Sequence, residues 1–412
     1  MTARETQAVL LALDGEGRPA RFVGGCVRDA ILCRPVEDVD LATPLPPDEV
    51  MRRLAGAGLR AIPTGIEHGT VTALAGGWRY EITTLRHDVE TDGRRARVAF
   101  IDDWQADAAR RDFTMNALSC ELDGTLHDYF DGLADLAAGI VRFVGEPEAR
   151  IREDVLRILR FFRFHARYGR GAPDPGALAA CGRLAELVPG LSKERVSAEL
   201  KKILMTRDPV GALALMRDTG VLVHVVPEAG RLRRLDALVR LEHELEERSE
   251  PIRRLAALVR TDTAGARALG ILLRLSNAER DRLVELVTPD WDVDPQADES
   301  LRRQALHRLG VTRFRDLVLL DWAGRLADQS TLPPALTAGY RVLLRTAELW
   351  RPIEFPLKGA DVVAAGVPAG PRVGQVLARI ERWWEQGDFR ADRAGCLARL
   401  QAVLADAPAD PL

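Results

Sequence analysis

Hydrophobic and polar positions divide the chain into two regions with different periodicities. Up to about residue 142, apolar runs of strand length alternate with short helical segments. From about residue 148 onwards, apolar residues recur every three or four positions and are interrupted by Gly and Pro turns, which predicts helices alone. The pattern therefore predicts an α+β protein, with a small mixed-sheet head followed by an elongated all-α region.

The predicted elements of the head are mostly strands. The strand candidates are Ala20–Val23, Val39–Thr43, Thr70–Leu74, Trp78–Thr84, Arg97–Phe100 and Ala117–Glu121. Helices are predicted at Glu5–Leu13 and, directly after a Gly-Gly turn, at Val27–Leu32. An Asp-Gly turn at 123–124 predicts a hairpin between the last strand and Leu126–Tyr129. Beyond the head, a long helix is predicted over Arg150–Tyr168, followed by shorter helices.

Composition excludes several classes of protein. The chain has 412 residues and 47% hydrophobic content, but its apolar stretches are too short or too charged to cross a bilayer, and we see no signal peptide. The seven histidines lack the spacing of a zinc site, and none of the five cysteines belongs to a C-x-x-C pair. We therefore expect a cytoplasmic protein with no membrane partner, no disulfide framework and no zinc.

Basic charge is concentrated in one segment. The net charge of the chain is −3, yet between Arg150 and Arg170 seven arginines stand against two acids, Glu153 and Asp154. A local basic strip of this kind is suited to binding phosphates even in a mildly acidic protein.

A Gly-Gly motif near the N-terminus predicts a phosphate site. Gly24 and Gly25 are followed by the sequence CVRD, in which the predicted helix begins. A Gly-Gly turn lets the backbone approach a phosphate closely, and the start of the following helix favours an anion. Arg28 lies in the first turns of this helix and is suited to pairing with a triphosphate.

Two aspartates then predict a metal site. Asp38 and Asp40 are two residues apart at a predicted strand, which places both carboxylates on one face. Adjacent carboxylates repel each other unless cations lie between them, and a two-metal site for phosphoryl transfer has this requirement. A third acid is expected on a neighbouring strand, where Glu81 is the best candidate. The simpler interpretations are an ordinary Asp-x-Asp turn and a solvent-facing Glu, and the spacing from the Gly-Gly motif argues against the turn.

In this order and spacing, these segments resemble the head of the class II CCA-adding enzymes, within the polymerase-β-like nucleotidyltransferases. The resemblance covers most of residues 21–136 and rests on FVGGCVRDAILCRPVEDVDLAT, PTGIEHGTVT, EITTLRHD, DGRRARVAF, ARRDFTMNALS and HDYFDGLADL. It implies a catalytic nucleotidyltransferase head at residues 1–142, a helical neck at 143–206, and a helical body and tail at 207–412 that bind tRNA.

The resemblance also implies roles for single residues. Asp38 and Asp40 would bind Mg²⁺, and the residues expected to hold the triphosphate and ribose are Gly25, Arg28, Arg111, Asp112 and Asn116. A carboxylate such as that of Asp112 accepts hydrogen bonds from ribose hydroxyls, which would favour NTP over dNTP. The chain departs from the family pattern at Cys33, where glycine is usual, and at Glu146, where aspartate is usual.

The long helix predicted over Arg150–Tyr168 suggests how bases are selected. Asp154 and Arg157 lie one turn apart on its polar side, with Phe161 and Phe164 on or beside that side for stacking. A carboxylate accepts from the exocyclic amine of C or A, and an arginine donates to the adjacent ring atoms, so the pair would select CTP and ATP. The alternative is a solvated face with ordinary ion pairs.

The family provides a match for this helix. Its E-D-x-x-R motif coincides with Asp154 and Arg157, and Arg160 and Arg163 match further nucleotide-binding positions of the family. Glu194 and Arg195 resemble the next family motif and are expected to support the helix.

The resulting prediction is template-independent addition of C, C and A to the 3′ end of tRNA from CTP and ATP. The tRNA 3′-hydroxyl would attack the α-phosphate of each nucleotide and release pyrophosphate. Residues 86–100 are predicted as a flexible loop, which this family needs to add the final A; the alternative is a plain surface hairpin loop. Two alternatives are a bacterial poly(A) polymerase on the same scaffold and a non-catalytic RNA-binding protein with a degenerate head. The sequence leaves the oligomeric state open.

Overall fold

The structure, a computed structural model, describes residues 2–15, 19–92, 95–329 and 331–405, with side chains except those of residues 88–98. It confirms the α+β fold class, because strands are confined to the first part of the chain and helices make up the rest. The chain forms two compact units. The first consists of Met1–Leu232 and Ala268–Ser276, and the second of Arg233–Arg267 and Asn277–Leu412.

The described residues of the first unit contain nine strands in two sheets. The strands are β1 (Arg21–Val23), β2 (Val39–Thr43), β3 (Arg60–Gly65), β4 (Thr70–Ala75), β5 (Trp78–Thr84), β6 (Arg86–Asp92), β7 (Arg95–Phe100), β8 (Ser119–Cys120) and β9 (Leu126–His127). Seven of them form a mixed sheet of order β3-β4-β5-β2-β1-β8-β9, and β6 pairs with β7 alone. Within the mixed sheet β2 and β5 run parallel, and the other pairs are antiparallel.

Two head segments differ from their sequence prediction. The pattern gives no signal for β3, because this strand contains Pro63 and is only partly buried; a proline is tolerated there because β3 is an edge strand. Residues 86–100, predicted as a flexible loop, contain the strands β6 and β7, which pair in an antiparallel hairpin; the role of this segment in adding the final A stays a prediction. The predicted Asp-Gly hairpin is confirmed by the pairing of β8 with β9.

Helices of the first unit surround and follow the sheet. They are α1 (Arg4–Leu13), α2 (Gly25–Ile31), α3 (Pro47–Gly56), α4 (Trp104–Ala109), α5 (Gly132–Ala138), α6 (Pro147–Glu153), α7 (Arg157–Tyr168), α8 (Pro175–Arg183), α9 (Lys193–Leu204), α10 (Pro209–Asp218) and α11 (Leu222–Val225). The single long helix predicted over Arg150–Tyr168 is wrong. Asp154 is extended, with φ −147° and ψ 102°, and its carboxylate accepts from the Leu156 amide, a local bond that competes with helix continuation.

The remaining helices belong wholly or mainly to the second unit, except α14, which is divided equally between the two units. They are α12 (Leu232–Glu244), α13 (Pro251–Leu258), α14 (Thr263–Leu272), α15 (Asn277–Val287), α16 (Glu299–Gln329), α17 (Pro334–Leu349), α18 (Gly359–Ala364), α19 (Pro371–Gln386) and α20 (Arg393–Ala405). Gly310 interrupts α16 with φ +71°. Among the helices of the described segments, none combines the length and apolar character that crossing a membrane requires.

Alternation along the central strands gives the mixed sheet one packed face and one open face. On β5, Tyr80 and Ile82 are buried, and the Tyr80 hydroxyl lies 3.0 Å from the Thr6 hydroxyl of α1. Glu81, between them, is exposed on the opposite face, as the two-residue period of a strand requires. The sheet thus presents polar side chains on its open face.

Cys33 adopts the left-handed conformation where α2 ends, with φ +53°. The Arg34 amide closes the turn by donating to the Asp29 carbonyl, 2.8 Å away. We expect Cys33→Gly to raise the free energy of unfolding by about 0.5–1 kcal/mol, because glycine adopts this conformation without steric cost. Urea denaturation would measure the change, with Cys33→Ala as the control that keeps Cβ. A lower midpoint for the glycine variant, or an equal rise for the alanine variant, would contradict this explanation.

Candidate active site

The three predicted acids share one cleft on the open face of the sheet. Asp40 on β2 lies opposite Glu81 on β5 in the parallel register. Asp38, two residues before Asp40, lines the same cleft, whose volume is about 460 Å³. The structure therefore brings together the side chains that the sequence predicted as a metal-binding group.

The charges in this cleft favour a cation. Burial, followed by the negative charges of Glu81 and Asp38, raises the pKa of Asp40, although Arg111 counters part of this effect. Within the described residues, no three His, Cys, Asp or Glu side chains are placed to hold a metal by themselves. This arrangement fits a divalent cation held by one or two carboxylates, with water and substrate phosphates completing its coordination.

The Gly-Gly turn lies next to the acids and is packed against Arg111. Gly24 has φ +69°, and a Cβ at this position would lie 3.0 Å from the Arg111 guanidinium, so a larger residue would be strained and crowded there. Asp107 accepts from Arg111 at 3.2 Å and pairs with Arg110 at 2.8 Å. Burial acts to raise the pKa of Asp107, but the two arginines outweigh it and the pKa is lowered. Sequence reasoning missed Asp107, although its spacing of three and four residues from the arginines is an available signal.

Four of the predicted nucleotide-binding side chains form one chain of hydrogen bonds. Arg28 donates to the side-chain oxygen Oδ1 of Asn116 at 2.5 Å, and the side-chain nitrogen Nδ2 of Asn116 donates to Asp112 at 2.8 Å. Arg160 of α7 donates to the other oxygen of Asp112 at 2.7 Å. This chain of hydrogen bonds connects α2, α7 and the segment that follows α4. It fixes Arg28 and Arg160 on either side of Asp112.

Two residues that sequence reasoning did not assign hold Arg28. Asp29 accepts from its guanidinium at 3.0 and 2.8 Å, and the Tyr168 hydroxyl donates to Asp29 at 3.0 Å. The Arg28 guanidinium carbon also lies 4.2 Å from the centre of the Tyr168 ring, a cation–π distance. Asp29 was visible in the VRD motif, whereas Tyr168 is 140 residues from Arg28 in the chain and gives no local signal.

Asp112 supports a prediction on stability. Burial acts to raise its pKa, but the charge of Arg160 and the hydrogen bond from Asn116 outweigh it, so the pKa is lowered. We expect Asp112→Asn to reduce the free energy of unfolding at pH 7 by about 2 kcal/mol, because it leaves Arg160 without its buried partner. A carboxyl whose pKa is lower in the folded than in the unfolded protein stabilises the fold. This stabilisation is complete above the pKa of the unfolded state, about 3.9, and is lost as the pH falls through the pKa of the folded state.

The measurement is denaturant unfolding of both proteins between pH 7 and pH 3. The difference between wild type and Asp112→Asn should shrink towards zero at the acid end. Asp218→Asn, a change in a surface pair with both side chains about 60% exposed, is the control and should cost less than about 1 kcal/mol. A difference for Asp112→Asn that stays constant with pH would show that the carboxylate charge is not what stabilises the site.

The predicted base-selecting residues have different partners in the structure. Asp154 pairs with Arg195 at 2.7 Å, so Arg195 contacts the proposed template residue directly. Arg157 pairs with Glu153 at 2.8 Å and also donates to the carbonyls of Arg150 and Arg110. The two side chains lie at the junction of α6 and α7, since Arg157 is the first residue of α7.

The two phenylalanines predicted to stack on a base are instead core residues. Phe161 is fully buried and Phe164 is 5% exposed, so the stacking prediction is wrong. The Phe164 ring packs against Phe113 with centroids 4.9 Å apart, and the Arg163 guanidinium lies 4.6 Å from its centre. Arg163 is held by Glu199 at 2.6 Å. A helix whose arginines cover its own aromatic side chains gives the same sequence pattern as a stacking surface.

The chain matches two family models and is similar to several known proteins. Residues 20–142 match the model of the poly A polymerase head domain, and residues 172–232 match the model described as a probable RNA and SrmB-binding site of polymerase A. The mitochondrial CCA tRNA nucleotidyltransferase 1 of Mus musculus is 35% identical over 94% of this chain and 87% of its own length. A CCA-adding enzyme of Limosilactobacillus fermentum is 33% identical over 93% of each chain.

A solved structure extends the similarity to the whole fold. The crystal structure of a Bacillus stearothermophilus CCA-adding enzyme in complex with CTP covers 98% of both chains, with a TM-score of 0.79 and 30% sequence identity. The similarity therefore includes the helical region beyond the two matched family models.

Proposed function

This chain belongs to the family of CCA-adding tRNA nucleotidyltransferases, and we propose that it adds C, C and A to the 3′ end of tRNA from CTP and ATP. The observation that carries the proposal is the position of the acids. Asp38, Asp40 and Glu81 line one cleft, and Arg111, which approaches the Gly-Gly turn, acts on Asp40 from its other side. Acids for a metal and cations for a triphosphate are thus adjacent, as nucleotidyl transfer requires.

Asp38 and Asp40 are the proposed ligands of Mg²⁺, with Glu81 as the third acid of the site. When bound, the metal supplies positive charge that acidifies the attacking 3′-hydroxyl and neutralises the departing pyrophosphate. The raised pKa of Asp40 supports this assignment, because a carboxylate crowded by other acids gains most from a cation.

We propose that the nucleotide binds to the side chains that form the chain of hydrogen bonds from Arg28 to Arg160. Gly25 and Arg28 bind the triphosphate, and Arg111, with its charge next to Asp40, binds it on the metal side. Asp112 and Asn116 contact the ribose. The Asp112 carboxylate is held by Asn116 at one oxygen and by Arg160 at the other, so binding requires it to exchange one of these donors for a ribose hydroxyl. Arg160 and Arg163 complete the nucleotide site from the helical side.

Asp154 and Arg157 are the proposed base-selecting pair. Binding a base requires Asp154 to exchange Arg195 for an exocyclic amine, and Arg157 to exchange Glu153 for acceptors on the ring. Each exchange replaces one charge-assisted hydrogen bond by a hydrogen bond of a similar kind, so neither is prohibitive. C and A offer an amine where U and G offer a carbonyl, and the carboxylate of Asp154 therefore favours CTP and ATP.

Each of three consecutive regions of the chain has its own proposed role. Residues 1–142 form the catalytic head, 143–206 the neck that selects the base, and 207–412 the body and tail that bind tRNA. We place the protein in the cytoplasm, which is consistent with its five unpaired cysteines.

The test supplies CTP and ATP separately to tRNA ending at the discriminator base and to an unstructured RNA of equal length. We expect CMP incorporation into tRNA alone, and AMP incorporation once two C residues are present. AMP addition to both RNAs without CMP would instead identify a poly(A) polymerase. If neither CMP nor AMP is incorporated into any of the RNAs, the result would favour the non-catalytic RNA-binding alternative.

A further inference from the structure

The open sheet face extends beyond the acids, away from the proposed nucleotide site. Strand β2, which carries Asp40, lies between β1 and β5. On the β1 side are the Gly-Gly turn and Arg111. On the β5 side, the cleft continues across β5, β4 and β3, where the lining residues are Ile62, Thr64, Thr72, Leu74 and Arg79. The cleft therefore has room for a second reactant.

Arg79 is the basic side chain among the described residues that line this cleft. It lies two residues before Glu81 on β5 and is exposed, and its register partner on β4 is Leu74. Strand alternation puts Arg79 and Glu81 on the same face. In the parallel register Val39 lies opposite Tyr80, so Arg79 lies on the β5 side of the acids. A guanidinium at this position provides a point where a phosphate can bind despite the surrounding carboxylates.

The rest of this surface suits a nucleotide rather than a free anion. Ile62 and Leu74 give it apolar area, against which a ribose or base can pack. The hydroxyls of Thr64 and Thr72 lie 2.8 Å apart at an exposed position, and each retains capacity for a further hydrogen bond.

We infer that the β3–β4–β5 face binds the terminal nucleotide of the tRNA primer, with Arg79 paired to the phosphodiester next to its 3′-terminal ribose. The inference rests on the proposed function. In phosphoryl transfer, the attacking and leaving oxygens lie roughly in line, so the primer 3′-oxygen and the pyrophosphate lie on opposite sides of the α-phosphorus, which has to sit next to the acids. Since the residues for the triphosphate lie on the β1 side, the primer lies on the β5 side. Arg79 positions the primer and takes no part in bond making.

The experiment compares Arg79→Ala with wild type in CMP transfer to tRNA ending at the discriminator base. We expect KM for tRNA to rise about tenfold, because one charge-assisted hydrogen bond to a phosphate is lost, while KM for CTP stays unchanged. The dependence of log KM for tRNA on log salt should weaken by about one unit. Arg79→Lys keeps the charge without the planar fork and should recover part of the loss.

Arg52→Ala is the matched control, since Arg52 belongs to α3 and its side chain is 77% exposed. Thermal unfolding of each variant shows that the proteins are folded. If Arg79→Ala and Arg52→Ala have the same KM for tRNA while wild type incorporates CMP, the primer assignment is overturned and the proposed function stands. A rise in KM for CTP alone would also overturn it. If wild type itself incorporates no CMP, the proposed function fails first.

Discussion

Replacement of Asp40 by asparagine is expected to lower the rate of CMP and AMP incorporation by about 10³-fold, because the site loses one of two proposed metal ligands and several kcal/mol of transition-state stabilisation. Asparagine keeps the size of the side chain and removes its charge. Single-turnover transfer to tRNA lacking CCA, at saturating Mg²⁺, measures the effect. CTP binding through Arg28 and Arg111 should largely persist, so that the loss falls on the chemical step.

The stability of the same variant gives an independent check. Burial, followed by the negative charges of Glu81 and Asp38, raises the pKa of Asp40, so its charged form is disfavoured in the folded state without metal. At pH 7 without Mg²⁺, Asp40→Asn should therefore unfold at the same temperature as wild type or higher. Asp48→Asn, an exposed acid on α3, is the control and should leave activity unchanged. Activity within tenfold of wild type, or a fall in unfolding temperature that accounts for the loss, would contradict the metal-site assignment.

Replacement of Asp154 by alanine is expected to reduce the preference for CTP over UTP by about 10²-fold, the discrimination that a pair of base-edge hydrogen bonds provides. The carboxylate attracts the amine of C and repels the carbonyl of U, and alanine does neither. The measurement is kcat/KM for each nucleotide on tRNA ending at the discriminator base. Stability should change by less than about 1 kcal/mol, because the pair with Arg195 is about one-third exposed on both sides.

Glu148→Ala is the matched control for this variant. Glu148 lies on α6 and pairs with Arg183 at the surface, so its loss should leave the CTP preference unchanged. If Asp154→Ala slows CTP and UTP transfer equally, Asp154 supports the neck through Arg195 and does not read the base. A parallel measurement on Arg195→Ala separates these roles, because only a structural role predicts the same loss for both variants.

The acidic cleft could be predicted because its signals are local. Asp38 and Asp40 are two residues apart, and the strand period alone places them on one face. Glu81 stands in an apolar run that predicts β5 at its observed bounds. The parallel pairing that sets Glu81 beside Asp40 depends on the topology of the whole sheet, and here the resemblance to a family supplied what periodicity could not.

The base-selecting region was predicted less well because helical periodicity does not reveal a break. The apolar positions of 150–164 keep the same period on both sides of Asp154, although the helix ends there. Partners that are distant in sequence, such as Arg195 for Asp154 and Tyr168 for Asp29, give no local signal. The burial of Phe164 among arginines could not be predicted either. The sequence pattern is the same whether the neighbouring arginines cover the aromatic ring or leave it exposed.

The central claim is that this protein extends tRNA by a defined sequence without a nucleic-acid template. The most direct measurement incubates the full chain with tRNA ending at the discriminator base, all four NTPs and Mg²⁺, and then sequences the 3′ ends of the products. The account predicts that nearly all extended molecules end in CCA and that extension stops there. Tails of A alone, mixed tails containing U or G, or tRNA returned without extension would contradict it.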